Sequence, residues 1–531
     1  MTQGGHSVRQ IASAAGVVSL ATLLSRLLGF IRDMAIAWLF GAGMAADAFF
    51  AAFRLPSTFR ELLGEGALSA AFIPTFTRTA TREGQPAAWQ LASRVMGTLA
   101  VALATVTVLG MFFAPEIAAV LTPGWAREPE KLALTARLLR IMFPYLFLVG
   151  LSALFMAILN SLGHFLTPAL APTMLNVTMI AVGLGIAPRT EQPALWLGGA
   201  VVAGGLGQLL IQIPPALARG WQGAVRFAPR DPGVREIARL MLPGVGGLAV
   251  TQVNVFVGMV LASFLAEGSL AALQYAFRLV QFPIGVVGVA IGTAALPVMA
   301  AAVARDAPEE MRRSLTESLR LGLFLALPAM AGLIVFRVPI IHVLLERGAF
   351  DRSATLLAAS VLAGYAVGLG FYVTNRILTP AFYAMRDTAT PVLTSSLSVA
   401  LNIAACLVLM GPLGAMGLAL ATAVASCGNS IALCLALRRR IGRLGLTAIG
   451  RGSARIALAC LPLSAWGLLA PHWWSVVAVP GTLAKVALLA LQLAVGGGLF
   501  LAAAFLLGCE ELGWLREVLA HRSARRRAEV R

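Results

Sequence analysis

"IASAAGVVSLATLLSRLLGFIRDMAIAWLF", residues 11–40, decides the fold. At about 1.5 Å of rise per residue, a run of this length outspans the roughly 30 Å hydrocarbon core of a bilayer. It reads as a first transmembrane helix. Yet its centre, "SRLLGFIRD" at residues 25–33, places Arg26, Arg32 and Asp33 where lipid would surround an isolated helix. The fold follows from the apolar background, and the function from those three charges.

The rest of the chain repeats the background. Of 531 residues, 59% are hydrophobic and only 12% charged, and mean hydropathy is +0.85, far from the range of soluble domains. Fourteen spans are expected, at 11–40, 45–76, 88–114, 133–158, 165–187, 194–218, 236–265, 269–302, 315–337, 354–380, 389–410, 413–437, 453–470 and 481–508. The fold class is therefore an all-α polytopic membrane protein with no room for a sizeable soluble domain.

A net charge of +18 and a pI near 11.2 would suit nucleic acid, but the distribution does not. All but two of the 41 basic residues are arginine, and most lie in short loops between spans. With an even number of spans and the N-terminus inside, the inner loops collect about 25 arginines and the outer loops about eight basic residues, so both termini are expected in the cytoplasm. No nucleic-acid partner is expected. The N-terminus lacks a signal-peptide cleavage site and reads as part of a retained first helix. The tail "RSARRRAEVR" (522–531) reads as a lipid-facing anchor, and residues 305–320 as a helix lying along the inner surface. The five cysteines, 406, 427, 434, 460 and 509, contain no C-x-x-C and suit packing.

Sliding the chain against itself by about 224 residues reveals a repeat. "AFRL" at Ala52–Leu55 meets "AFRL" at Ala276–Leu279, Ile73-Pro74 meets Leu296-Pro297, and Thr167-Pro168 meets Thr390-Pro391. Two six-helix lobes follow, helices 1–6 in residues 1–220 and helices 7–12 in residues 221–440, around a central cavity. Residues 441–508 hold two further helices and 509–531 a basic tail. Parallel lobes of this kind suggest alternating access.

Candidate binding residues are Arg26, Arg32, Asp33, Asp47, Arg54, Arg60, Glu61 and Glu65 in helices 1 and 2 and Arg278 in helix 8, with Arg94 and Arg376 nearer the cytoplasmic ends. An arginine at mid-membrane costs at least about 2.5–3.5 kcal/mol on insertion scales, so several together require water, ion pairs or a ligand. Arg26 and Arg32 are six residues apart, as are Arg54 and Arg60, which splays each pair by about 120° on an unbroken helix. Gly29 and Pro56 lie between them and could bend or unwind the backbone. Pairing with Asp33, Asp47, Glu61 and Glu65 alone would make the arginines structural. With Arg278 included, basic residues outnumber acidic ones, and a guanidinium fork suits a phosphate or diphosphate. Arg26 and Arg32 correspond to Val250 and Phe256 in the second repeat, so the charge is concentrated in one lobe. Neither lysine sits in a phosphate-binding loop, the five histidines lack metal-ligand spacing, and no G-x-S-x-G occurs, so a transporter without its own ATPase is expected rather than an enzyme.

"SRLLGFIRD" (25–33), "FGAGMAADAFFAAFRLP" (40–56), "EGALSAAFIP" (65–74), "YAFRLVQFPIGVVGVAIGTAALP" (275–297), "LLERGAFD" (344–351) and "YAMRDTATPV" (383–392) resemble, in order, the signature segments of the MurJ (MviN) lipid II flippases of the multidrug/oligosaccharidyl-lipid/polysaccharide exporter superfamily. The resemblance implies a V of two six-helix lobes plus two C-terminal helices that hold an undecaprenyl tail. It implies movement of lipid II, the lipid-linked peptidoglycan precursor, across the bacterial inner membrane by a monomer, with cell-wall synthesis proteins as further partners. By motif, Arg26, Arg32, Asp33, Arg60 and Arg278 match substrate-cavity positions, and Asp47, Arg54 and Glu65 further polar ones. Where relatives often read D-R-L-x-E-F-P, this chain has Phe277 to Pro283 with Gln281, losing two carboxylates beside Arg278. Some members carry a sodium site, for which Asn375, Thr379 and Ser395 are the candidates here, or else ordinary packing groups. No cofactor is implied, and coupling would run through sodium, protons or membrane potential. The alternatives are a flippase for another polyprenyl-diphosphate oligosaccharide of O-antigen type and a multidrug antiporter of the same superfamily.

Overall fold

The computed structural model describes residues 3–62, 68–442, 444–476 and 481–514, and among these the secondary structure is helical throughout. Glu65 and the tail from residue 515 lie outside the described residues. Two compact units form, Met1–Ala271 with Arg347–Phe350, and Ala272–Glu346 with Asp351–Arg531.

The first unit holds α1 (Gln3–Phe40), α2 (Met44–Leu62), α3 (Leu68–Glu83), α4 (Gln85–Phe112), the short α5 (Ala114–Leu121), α6 (Pro129–Met142), α7 (Pro144–Ser161), α8 (Leu166–Gly185), α9 (Pro193–Leu210), α10 (Ile213–Leu217) and α11 (Pro232–Ala262). Proline at N1 or N2 opens many of them, where its missing N–H has no helical partner to lose and its φ is already helical. The Asp231 carboxylate caps α11 by accepting from the N–H groups of Gly233 and Val234 at 2.9 and 3.2 Å. Phe72, Phe76, Leu91, Val95, Leu154 and Ile158 form a core from α3, α4 and α7. Against it lie Ile237 and Val234, so α11, which the repeat places first in the second lobe, packs here within the first unit.

From Ala272 the second unit continues α12 (Ser269–Pro283), a π-helical turn (Ile284–Val289), α13 (Ala290–Ala304), α14 (Pro308–Val335), α15 (Arg337–Leu345), α16 (Arg352–Val367), α17 (Leu369–Ala384), α18 (Ala389–Ile441), α19 (Leu446–Val476) and α20 (Thr482–Leu506). α18 is two helices joined across Gly414, whose φ of 56° no helix accommodates. Helix starts at 85, 129 and 166 recur at 308, 352 and 389, each 223 residues on. Even the short α5 and α15 correspond, each entered through a phenylalanine, Phe113 and Phe336, with nearly the same backbone angles. Grouped at their breaks, the described helices make fourteen segments. Nine are individually long and apolar enough to cross a membrane, and the pair α16 and α17, bent by 43°, makes a tenth. α19 and α20 attach to the second unit through Phe324, Ile456, Leu463 and Phe500.

One expectation is corrected. Residues 305–320 do not form a separate surface helix, because Pro308 starts a helix that runs unbroken to Val335, supported on its polar turn by the Arg313–Glu317 pair at 2.8 Å. Residues 509–514, at the start of the basic tail, are held to α14. Arg320 binds the buried Glu511 at 2.7 Å and Glu510 at 3.0 Å, and its guanidinium lies 4.9 Å from the Trp514 ring.

The turn before α18 carries a pH-dependent contact. Asp387 accepts from the hydroxyl and N–H of Thr390 at 2.6 and 3.0 Å and pairs with Arg440 at 2.7 Å. The Thr390 hydroxyl, then its N–H, then the Arg440 charge hold this carboxyl below its usual range. A depressed folded value stabilises the protein above the unfolded carboxyl pKa of about 4, and that contribution disappears as pH falls through the folded value. Asp387→Asn is therefore expected to lower the melting midpoint at pH 7, by an amount that shrinks as pH falls through the folded value, read by thermal denaturation in detergent across a pH series.

Candidate functional site: a polar face on the first two helices

α1 stays helical through Gly29, so the unwinding expected there does not occur. Hydrogen bonds of an intact helix have no substitute in hydrocarbon, and α8 packs against this turn. The Asn176 amide of α8 lies 3.8 and 3.9 Å from where a Gly29 Cβ would be, and its Nδ2 donates to the Ser25 carbonyl at 3.1 Å. The same amide's Oδ1 accepts from Arg32 Nη1 at 3.2 Å. Because the helix is unbroken, Arg26 and Arg32 remain splayed. Arg26 is exposed, while Arg32 is buried.

Arg32 donates through Nε and Nη2 to Asp33 Oδ1 at 3.0 and 2.7 Å, and its guanidinium lies 5.9 Å from the Phe53 ring. A guanidinium has five N–H donors. Three are used here, so two remain for a ligand, one on each terminal nitrogen, in the forked geometry that fits two oxygens of one phosphate.

α2 is likewise continuous through Pro56. Arg54 Nη2 donates to Gln252 Oε1 at 3.4 Å, Thr58 Oγ1 to the same oxygen at 3.2 Å, and Gln252 Nε2 to Glu61 Oε2 at 2.9 Å. Arg60 and Glu61 approach to 4.0 Å, both partly exposed. A buried amide from α11 thus ties Arg54 and Glu61 together on one face of α2.

Asp47 stands apart. It is 1% exposed, pairs with Lys131 of α6 at 2.9 Å and accepts from the N–H groups of Gly268 and Ala271 at 2.8 and 2.9 Å, at the start of α12. Lys131 is also 1% exposed and lies 4.3 Å from the Trp125 ring. Gly268, at φ 82°, is required here, since a Cβ would sit 2.0 Å from the Ala42 carbonyl oxygen. Asp47 is therefore a helix-end lock rather than a member of the arginine face. Of the arginines, Arg32 is paired with Asp33, Arg54 is bonded to Gln252, and Arg60 approaches Glu61.

In the second unit Arg278 is exposed and donates to Gln281 Oε1, one turn on, at 3.4 Å. The π-helical turn begins three residues later, at a point equivalent by the repeat to residues 60–65 of the first. Asn375 donates to Ser426 O and Oγ at 3.0 and 2.8 Å and accepts from Ser430 at 2.8 Å, joining α17 to α18. Among the described residues, no polar contact joins Thr379 or Ser395 to that group. Asn176, Gln252 and Lys131 were missed as partners. Asn176 and Gln252 could have been found as amides inside largely apolar runs, whereas Lys131 follows Arg127, Glu128 and Glu130 and carries no such signal.

The sequence profile of the family described as lipid II flippase MurJ matches residues 36–488. A Rhizobium tropici protein named "Probable lipid II flippase MurJ" is 36% identical over 507 residues, 94% of this chain and 95% of that protein. A Burkholderia cenocepacia protein named "Lipid II flippase MurJ" is 34% identical over 427 residues, 80% of this chain and 83% of that one. Solved structures agree in fold. One, described as "Lipid II flippase MurJ, inward closed conformation", superposes with TM-score 0.75 at 24% identity, covering 94% of this chain and 99% of that chain. An inward-facing multidrug resistance MATE family transporter of the MOP superfamily does so at 0.67 and 14%, covering 82% and 99%. The chain belongs to the MurJ family of lipid II flippases.

Proposed function

We infer that this protein is a lipid II flippase, carrying undecaprenyl-diphosphate-linked peptidoglycan precursor from the inner to the outer leaflet of a bacterial inner membrane. Family membership names the substrate class. The observation that carries the chemistry is the buried Arg32 guanidinium on α1, held by Asp33 and Asn176 through three of its five N–H groups. Arg32, pre-oriented by Asp33 and Asn176, offers its two remaining N–H groups to the diphosphate. Arg26 and Arg60 add long-range attraction, and Arg278 contributes from the second repeat by its sequence motif.

Alternating access needs the ligand to be held in both states, with the bias between them set by differential affinity. The tail stays in hydrocarbon along α19 and α20, both termini face the cytoplasm, and one copy suffices. A sodium or proton gradient or the membrane potential drives turnover. A multidrug antiporter would want acidic, aromatic-lined pockets for cationic drugs, which the buried Arg32 guanidinium opposes. A flippase for an O-antigen-type lipid diphosphate is the closer rival, because the same fork would bind it.

Depleting the protein in its host is expected to shield lipid II from an externally added enzyme that cleaves it. Unchanged accessibility, in a strain with no second flippase, would remove the reading. Accumulation of a different polyprenyl diphosphate inside would favour the rival.

A further inference from the structure

The stretch between α10 and α11 is fastened to the helices beneath it. Residues 221–228 form an irregular strap that turns into α11 at 229–230, fastened to the first half of α4 by backbone and side-chain bonds together. Arg226 N–H donates to the Ser93 carbonyl at 3.0 Å and Ala228 N–H to Thr98 Oγ1 at 3.3 Å. Gly97 makes this approach workable, since any Cβ there would lie 2.3 Å from the Arg226 carbonyl oxygen. Trp221 fixes the near end, its ring edge-on to Phe155 with centroids 4.9 Å apart.

The acids of this region are all spoken for. Asp231 pairs with Arg94 of α4 at 2.7 Å besides capping α11, and Glu236 pairs with Arg78 of α3 at 2.5 Å. Arg226, Arg230, Arg235 and Arg239 are all exposed, and none has an ion-pair partner among the described residues. Arg235 and Arg239 are one helical turn apart on the outer face of α11, whose inner face buries Val234 and Ile237. Interleaved with these cations are exposed apolar side chains, Val225 at 54%, Phe227 at 62% and Leu242 at 75%.

An apolar wedge between uncompensated arginines on an immobilised segment is the chemistry of a lipid–water interface. The apolar groups enter the acyl region while the guanidiniums meet phosphates. A soluble acidic partner would leave Phe227 and Val225 exposed to water. We propose that the 221–239 strap is a binding surface for anionic phospholipid headgroups, held open by diversion of Asp231 and Glu236 to α4 and α3. This surface is separate from the α1–α2 arginine face and does not depend on which lipid diphosphate that face carries.

Each basic residue near an anionic surface is worth about a five-fold gain in partitioning. The test uses the full-length protein purified in neutral detergent and supplemented with phosphatidylglycerol, phosphatidylcholine or inorganic pyrophosphate, with thermal midpoint and co-purified lipid read together. Phosphatidylglycerol is expected to raise the midpoint and to be enriched, and the other two are not. R226Q/R230Q/R235Q/R239Q should lose most of that response. The four-fold Arg→Lys variant should keep it, which separates headgroup binding from any effect of lost positive charge on membrane orientation. If the glutamine variant does not fold, R226Q/R230Q gives a half-sized loss. An equal response in the glutamine variant and the parent, an equal response to phosphatidylcholine, or a shift with pyrophosphate alone would each overturn the proposal.

Discussion

Arg32→Ala is expected to lower lipid II translocation by on the order of 100-fold. Two charge-assisted hydrogen bonds at about 1.5 kcal/mol or more each correspond to a loss of that size. The variant has a second effect to separate, because Asp33 is 6% exposed and would lose its guanidinium. Arg32→Lys keeps a cation beside Asp33 but replaces the fork with a point charge, so it should fold and lose about ten-fold. The double variant Arg32→Ala/Asp33→Ala removes both charges together and should insert and purify normally while remaining inactive. Normal transport by that double variant would make Arg32 and Asp33 a structural pair and leave the diphosphate without its main contact. Arg278 is exposed, so Arg278→Ala carries little folding cost and is a direct reading of the second repeat's contribution. External accessibility of lipid II in cells, normalised to membrane-inserted protein, is the measurement for all four.

The helical segments were legible in the sequence because hydrocarbon permits few alternatives. A run of about 20 apolar residues must satisfy its own backbone, and the repeat then fixes the order of elements. What sequence reasoning misplaced are local decisions between competing polar contacts. Asp47 was grouped with the arginines because it precedes Arg54 by two helical turns, yet Lys131, 84 residues away, captures it. Nothing in the spacing of residues 26–65 records that partner. Gly29 and Pro56 were read as breaks, whereas Asn176 and Gln252 supply hydrogen bonds from α8 and α11 that hold the charged side chains on continuous helices. A glycine or proline within a helix need not break it, and only the packing tells the two outcomes apart. The surface helix at 305–320 failed for a related reason: its alternating charges also suit the first turns of a long helix leaving the membrane.

Lys131→Met is expected to be the most destabilising single change in the first unit, at about 3–5 kcal/mol. It strands the Asp47 carboxylate, 1% exposed, with only the Gly268 and Ala271 N–H groups as donors. Two backbone bonds to a carboxylate do not replace a cation at 2.9 Å. Asp47→Asn should be nearly as harmful by the opposite route. It leaves a buried ammonium with the Trp125 ring and the half-exposed Glu128, 3.7 Å away, as its remaining partners. Combining the two removes both charges and keeps an acceptor for the α12 amides, so the double variant should recover a large part of either loss. That non-additivity is the signature of a direct pair, and it is read from melting midpoints of the parent, both single variants and the double variant in one detergent. Strictly additive losses would mean that Lys131 acts through Trp125 packing alone. Asp47 would then be available to the arginines of α1 and α2, which ties this stability experiment to the binding model.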